Sequence, residues 1–108
     1  PSASNSKILV LTSQMGYVKN NSSMNTARIS VNLTRDNTEV AVVNTETLVN
    51  LGANGFKAPI TLNHCYLDSP STTNAVTYRT QAKVGNTNAT LYLQDGAYSY
   101  ITVMEVLA

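Results

Sequence analysis

ARISVNLTRDNTEVAVV, residues 27–43, decides the fold. Its first half sets Ile29, Val31 and Leu33 against Ser30, Asn32 and Thr34, the period-two pattern of a strand with one buried face. Asp36-Asn37 then supplies two residues that tolerate positive φ, which a two-residue hairpin turn requires. A second β-branched run, TEVAVV, follows at once, so the stretch reads as a β-hairpin.

Working outward, NAVTYRTQAKV (residues 74–84) repeats the alternation with Val76, Tyr78, Ala82 and Val84. Further strands are expected at Lys7–Val18, Glu39–Val43, Ile60–Leu67, Ala89–Leu93 and Ser99–Leu107, separated by turn residues such as Gly85-Asn86-Thr87-Asn88 and Asp95-Gly96. TETLVNLGANGFKAP (residues 45–59) is ambiguous, because Val40, Val43, Thr47 and Leu51 also share one helical face. Three valines in four positions and two following glycines favour strand then loop. The sum is a meander of about seven strands, hence an all-β fold: an antiparallel, jelly-roll-like β-sandwich. Its expected core is Ile29, Val31, Leu33, Leu62, Val76, Tyr78, Leu91, Ile101 and Val103. Glu105 falls on the same apolar face as Ile101 and Val103, so it is expected either to pair with an arginine or to lie at a subunit contact.

A chain of 108 residues is the size of one domain. Charged residues make up only 12% of it against 43% hydrophobic, so the solvent face must be built from Asn, Ser and Thr. With a formal charge of +1 and no Lys/Arg cluster, it lacks the basic patch that a phosphate backbone or an anionic membrane demands. No apolar run approaches a membrane span, and PSASNSK resembles no signal peptide. The first residue is not Met, and the segment is expected to be part of a longer protein.

The residue types of catalysis are thinly spread. His64 is the only histidine. As a strand neighbour of Cys65 it points to the opposite face and cannot serve that thiol as a base. Following Ile60 and Leu62 on one face, it reads as a buried or interface imidazole with a hydrogen-bonded partner; the sharper alternative puts three copies about a threefold axis, holding a metal or anion. Asp36, Glu39, Glu46, Asp68, Asp95 and Glu105 form no carboxylate pair at a recognisable spacing. Asp36, Asp68 and Asp95 sit at strand ends, where they are expected to accept hydrogen bonds from turn amides. Phosphate cradles and zinc spacings are missing, and N-x-[ST] matches at Asn20, Asn21, Asn32 and Asn88 are chance in so polar a chain. These readings imply no enzyme, no cofactor and no metal.

Taken in order, SKILV, RISVNLTRDN, YLDSPSTTNAVTYRTQAKVG and the terminal ITVMEVLA resemble the C-terminal β domain of tailed-phage virion proteins, notably fibres, spikes and appendages of marine and freshwater phages. The resemblance implies an eight-stranded jelly-roll-like sandwich, a homotrimer displayed on the virion surface, contacts with other virion proteins and no enzyme activity. It also implies a strand before PSASNSKILV, or a neighbouring subunit in its place. In its best-matched motif, Asp68, Ser69 and Pro70 read as a turn closing a hairpin. Two functions are consistent with it: host-cell attachment through surface loops, or a purely structural role as a capsid decoration or head-fibre domain. For attachment, the candidate receptor-binding residues are Lys19, Asn20 and Asn21 in one turn and Asn54, Phe56 and Lys57 in another. Amides and hydroxyls match sugar hydroxyls, and an aromatic ring covers an apolar sugar face, so a host surface glycan is the expected ligand.

Overall fold

The structure, a computed structural model, describes residues 1–21, 26–50, 55–85, 89–94, 96 and 98–107, with 26–28 and 43–50 through their backbone alone. Seven strands follow one another among these residues: β1 Lys7–Asn20, β2 Thr26–Arg35, β3 Thr38–Asn50, β4 Lys57–Asp68, β5 Tyr78–Val84, β6 Ala89–Leu93 and β7 Tyr100–Val106. They form two antiparallel sheets packed face to face, a jelly-roll-like β-sandwich. The whole measures 53 × 23 × 16 Å, so it is elongated along its strands.

The β2–β3 hairpin forms as its sequence dictates: Asp36 and Asn37 take φ of 49° and 70°, the double left-handed geometry of a type I′ turn. Around it, the topology is not a meander. Every connection except β2–β3 and β6–β7 crosses between the sheets. The Asp68-Ser69-Pro70 stretch is therefore no hairpin, since β4 belongs to one sheet and β5 to the other. β3 continues to Asn50, beyond the expected strand end at Val43. The β5 strand begins only at Tyr78, four residues later than the alternation from Asn74 suggested.

In the first sheet β1 is central. β4 pairs along its whole length, from Ile8↔Asp68 to Lys19↔Lys57. Its other side is shared end to end, with β6 on Gly16–Asn20 and β7 on Lys7–Ser13. Where β6 stops and β7 starts, Gln94 (φ 61°) donates its amide to the Met15 carbonyl at 2.9 Å, and the Ser99 hydroxyl accepts the Met15 amide at 3.1 Å. Two residues thus satisfy one backbone position. In the second sheet β2 is central, between β3 and β5.

Ile29, Val31 and Leu33 are fully buried, and Leu62 is buried with them. The apolar interior forms two clusters. Val18, Ile29, Val31, Ile60 and Leu62 make one, and Ile8, Val10 and Leu33 the other. Between them on β1 lie Thr12 and Gln14, the latter accepting from the Thr80 hydroxyl at 3.1 Å and donating to Ser99 at 2.7 Å. His64 stands opposite Thr12 in this polar belt, half-buried and facing the sandwich interior. Its Nε2 and the Thr12 hydroxyl have no hydrogen-bond partner among the described residues, so the expected imidazole partner is not found.

Part of the expected core is corrected. Ile101 and Val103 point to the same side as Thr12 and Val10, their β1 partners, yet are 45% and 53% exposed. The second sheet is only three strands wide, and the chain facing β7 is the segment before β5, which contributes Ala75 and Val76 rather than a strand. Val76, Tyr78 and Leu91 are half-buried rather than core. Glu105 is exposed and pairs with no arginine among the described residues: the Ser2 amide and hydroxyl both donate to it, and the amide first, the hydroxyl next, hold its carboxyl below the usual range.

Asp68 caps no turn. It is 4% exposed at the end of β4 and accepts from Arg35 Nη1 at 2.7 Å and from the Tyr78 hydroxyl at 2.6 Å. Arg35 and Tyr78 are cross-strand partners on β2 and β5, so one carboxylate ties the two sheets together. Asp36 does accept a loop amide, from Thr77 at 2.8 Å, which anchors the hairpin turn to the start of β5.

Candidate functional site

β1 buries its even-numbered side chains and turns the odd-numbered ones outward. Its partners follow the same parity, so the outer face of the first sheet reads row by row. At the Asn20 end, Lys19 lies between Lys57 and Thr90, and Tyr17 lies between Pro59 and Tyr92.

The β1–β4 register brings the two predicted turns together. The Asn20 amide donates to the Phe56 carbonyl at 2.9 Å, and Gly55 N donates to the Asn20 carbonyl at 2.8 Å. Gly55 has φ of 82°, a left-handed conformation that costs glycine little. Of the six predicted receptor-binding residues, Lys19, Asn21, Phe56 and Lys57 stand together near this end. Phe56 is 52% exposed, so it does not cap the core. Asn21 is exposed and its side-chain amide donates to the Thr90 hydroxyl at 2.6 Å. Asn20 is 1% exposed, because even parity on β1 sends it inward; it is a structural residue and not a ligand contact. Asn54 lies outside the described residues.

Sequence reasoning missed the centre of this surface. Tyr17 and Tyr92 stack with ring centroids 4.7 Å apart and planes 15° apart. Lys57 Nζ sits 4.7 Å from the Tyr17 ring centroid. The arrangement has a local cause: Lys19 and Lys57 are directly opposite, a repulsive cross-strand pair, and Lys57 relieves it by leaning over the electron-rich face of Tyr17. Tyr92 remains 39% exposed, so part of the stacked pair faces solvent. The sequence signal was the outward parity of Tyr17, but its partner across the sheet depends on a register that no local pattern sets.

Chemically this is a shallow platform of aromatic rings edged by two amines, an amide and a hydroxyl. It offers stacking and hydrogen bonding to a hydroxyl-rich ligand, and cationic groups for an acidic one. A groove of about 470 Å³ on the outer face of the second sheet, lined by Ser30, Asn32, Gln81, Ala82 and Lys83, is polar but has no aromatic floor. Cys65 is exposed and His64 faces inward, so the two do not form a nucleophile and base. Among the described residues no three His, Cys, Asp or Glu side chains gather as metal ligands. No family model matches the chain, and no curated protein or solved structure matches it either.

Proposed function

We propose that this chain is a surface module of a tailed-phage virion, of the fibre or spike kind, that contributes to host attachment by contacting an envelope glycan. The resemblance of its sequence to such domains supplies the virion setting and a homotrimeric assembly. The Tyr17–Tyr92 stack with Lys57 above it, beside Lys19, carries the glycan part. Aromatic faces cover the apolar face of a sugar ring, and Lys19 and Lys57 favour a glycan bearing carboxylate or phosphate groups. The platform is open and shallow, so affinity per site is low; several copies per particle raise avidity without new contacts.

The test is saturable binding of the labelled protein to host cells and to their purified envelope polysaccharide. Tyr92→Ser and Lys57→Ala, both on the surface, should each weaken binding while leaving the fold intact, and Asn20 variants should act only through stability. Binding to host cells no better than that of an unrelated β-sandwich would sink the attachment reading. Immunogold labelling on the shell rather than the tail would favour a capsid decoration instead.

A further inference from the structure

The free edge of the first sheet beside β1 ends in a strand unlike any other among the described residues. Every residue of β7 is exposed, and its apolar side chains line both faces: Tyr100 at 63%, Met104 at 47% and Val106 at 43% on the outside, Ile101 and Val103 on the inside. Outer-face neighbours Leu11 and Leu67 extend the patch at 38% and 46%. Contiguous apolar surface of this kind marks an association site on a soluble domain, and a long, flat, apolar edge is the template for pairing with another strand.

The other edges carry protection. β4 has Lys57 and Pro59, the β2–β3 ladder is interrupted by register shifts, and β5 exposes Arg79, Gln81 and Lys83. The contrast with β5 argues for a second copy as the occupant. Two copies of β5 paired antiparallel about Gln81 would set Arg79 opposite Lys83 twice, which repels. Two copies of β7 paired about Val103 set Val103 opposite Val103, Tyr100 opposite Val106, Thr102 opposite Met104 and Ile101 opposite Glu105, with no like charges in contact. The two Glu105 carboxylates stand four residues apart along the pair, roughly 13 Å at strand rise and beyond a screening length of about 8 Å. Both faces stay in phase, outer against outer and inner against inner. The same twofold axis brings the second copy's Ile101 and Val103 to the mouth of a pocket of about 300 Å³ whose lining includes Ile8, Val76, Tyr78 and Val103.

We infer that β7 is an interaction edge that pairs antiparallel with β7 of a second copy of this chain, about a twofold axis through Val103. An antiparallel pair of identical strands is isologous, so this contact is distinct from a threefold assembly and independent of the attachment reading. It joins two single domains or, where trimers form through another surface, two trimers.

The experiment is sedimentation of the full chain over a concentration series, with two variants. The wild type should reach an even-numbered oligomer, and Val103→Arg, which buries two facing cations, should weaken that step by more than about tenfold. In a Cys65→Ser background, Val103→Cys should give a covalent dimer under mild oxidation, because directly opposed residues lie within disulfide reach, and Tyr98→Cys, on an exposed loop, should not. Circular dichroism of Val103→Arg guards against misfolding, and the cysteine pair reads the contact without the charge. A wild type that stays monomeric at high micromolar concentration overturns the inference. So does a trimer whose mass Val103→Arg leaves unchanged, an outcome that leaves the trimeric reading standing, and so does cross-linking of Tyr98→Cys as fast as Val103→Cys. A wild-type monomer whose β7 pairs only with a different virion protein overturns it as well.

Discussion

β5 and β7 are both seven-residue edge strands, each antiparallel to the central strand of its sheet, and they meet solvent in opposite ways. β5 alternates half-buried Tyr78, Thr80, Ala82 and Val84 with exposed Arg79, Gln81 and Lys83. β7 is exposed at every position. The difference does not lie in either strand's own alternation. It lies in what stands behind it: β5 packs over the first sheet near β6, whereas β7 extends past the second sheet and faces a loop. A strand's inner face is defined by its neighbours, but its burial is decided by the opposite layer.

The sharpest way to break this comparison is to remove matter from behind each edge. Leu33 lies on β2 opposite Thr80 of β5 and is fully buried. Leu33→Ala should lower stability by about 2–5 kcal/mol, read as a shift in the denaturant midpoint at constant slope. A loss under 1 kcal/mol would mean the sheets do not pack there as described.

Tyr78 opens β5 and gives the next effect. Burial first, and the Asp68 hydrogen bond second, push its phenol well above the usual range. Because the folded value is raised above the unfolded one of about 10, the associated stability is complete below that pH and drains away as pH rises beyond it. Tyr78→Phe removes a hydrogen bond to a charged partner, which should cost about 1.5–3 kcal/mol near neutrality and flatten the alkaline part of the profile. An unchanged alkaline transition in the variant would show that another group governs it.

Gly16 marks the point where β6 leaves β1, just before β7 takes its place. A Cβ there would meet the Tyr92 carbonyl oxygen at 2.1 Å and the Leu93 Cα at 3.1 Å, both backbone atoms that cannot turn aside. Gly16→Ala should cost about 1–3 kcal/mol by overpacking, and it should loosen β6 more than β7 in amide exchange.

These contrasts also show what the sequence can carry. Ile29 and Val31 look no different, residue by residue, from Ile101 and Val103 of the last strand. Alternation assigned both sets a face, and only the first set has a sheet behind it. The Asp36-Asn37 turn was legible because its cause is local, whereas Asp68 was misread as a turn residue because its partners arrive from two other strands. At the candidate site, Lys19, Asn21 and Lys57 were named as parts of two separate turns, and strand register makes them one surface. Asn20 shared their chemistry but not their parity. Tyr17 and Tyr92 are distant in the chain and meet only through pairing, so nothing short of the β1–β6 register could have selected them.

The smallest expected effect is also the one that divides packing from pairing. Ile101 was expected in the core, where truncation to alanine costs several kcal/mol, but at 45% exposure over a loop it resembles a surface position. In dilute protein, where any β7 pair has dissociated, Ile101→Ala should change stability by no more than about 0.5 kcal/mol. At concentrations that support association the same substitution should cost more, because the pair is part of the folded state only when it forms, and a partner bound to the native chain adds to apparent stability by mass action. Denaturant titrations of wild type and variant at two concentrations a hundredfold apart measure both at once. A large loss that is the same at both concentrations would return Ile101 to the core and close the difference between β7 and β5; a small loss that grows with concentration keeps β7 an edge built to be covered by another chain.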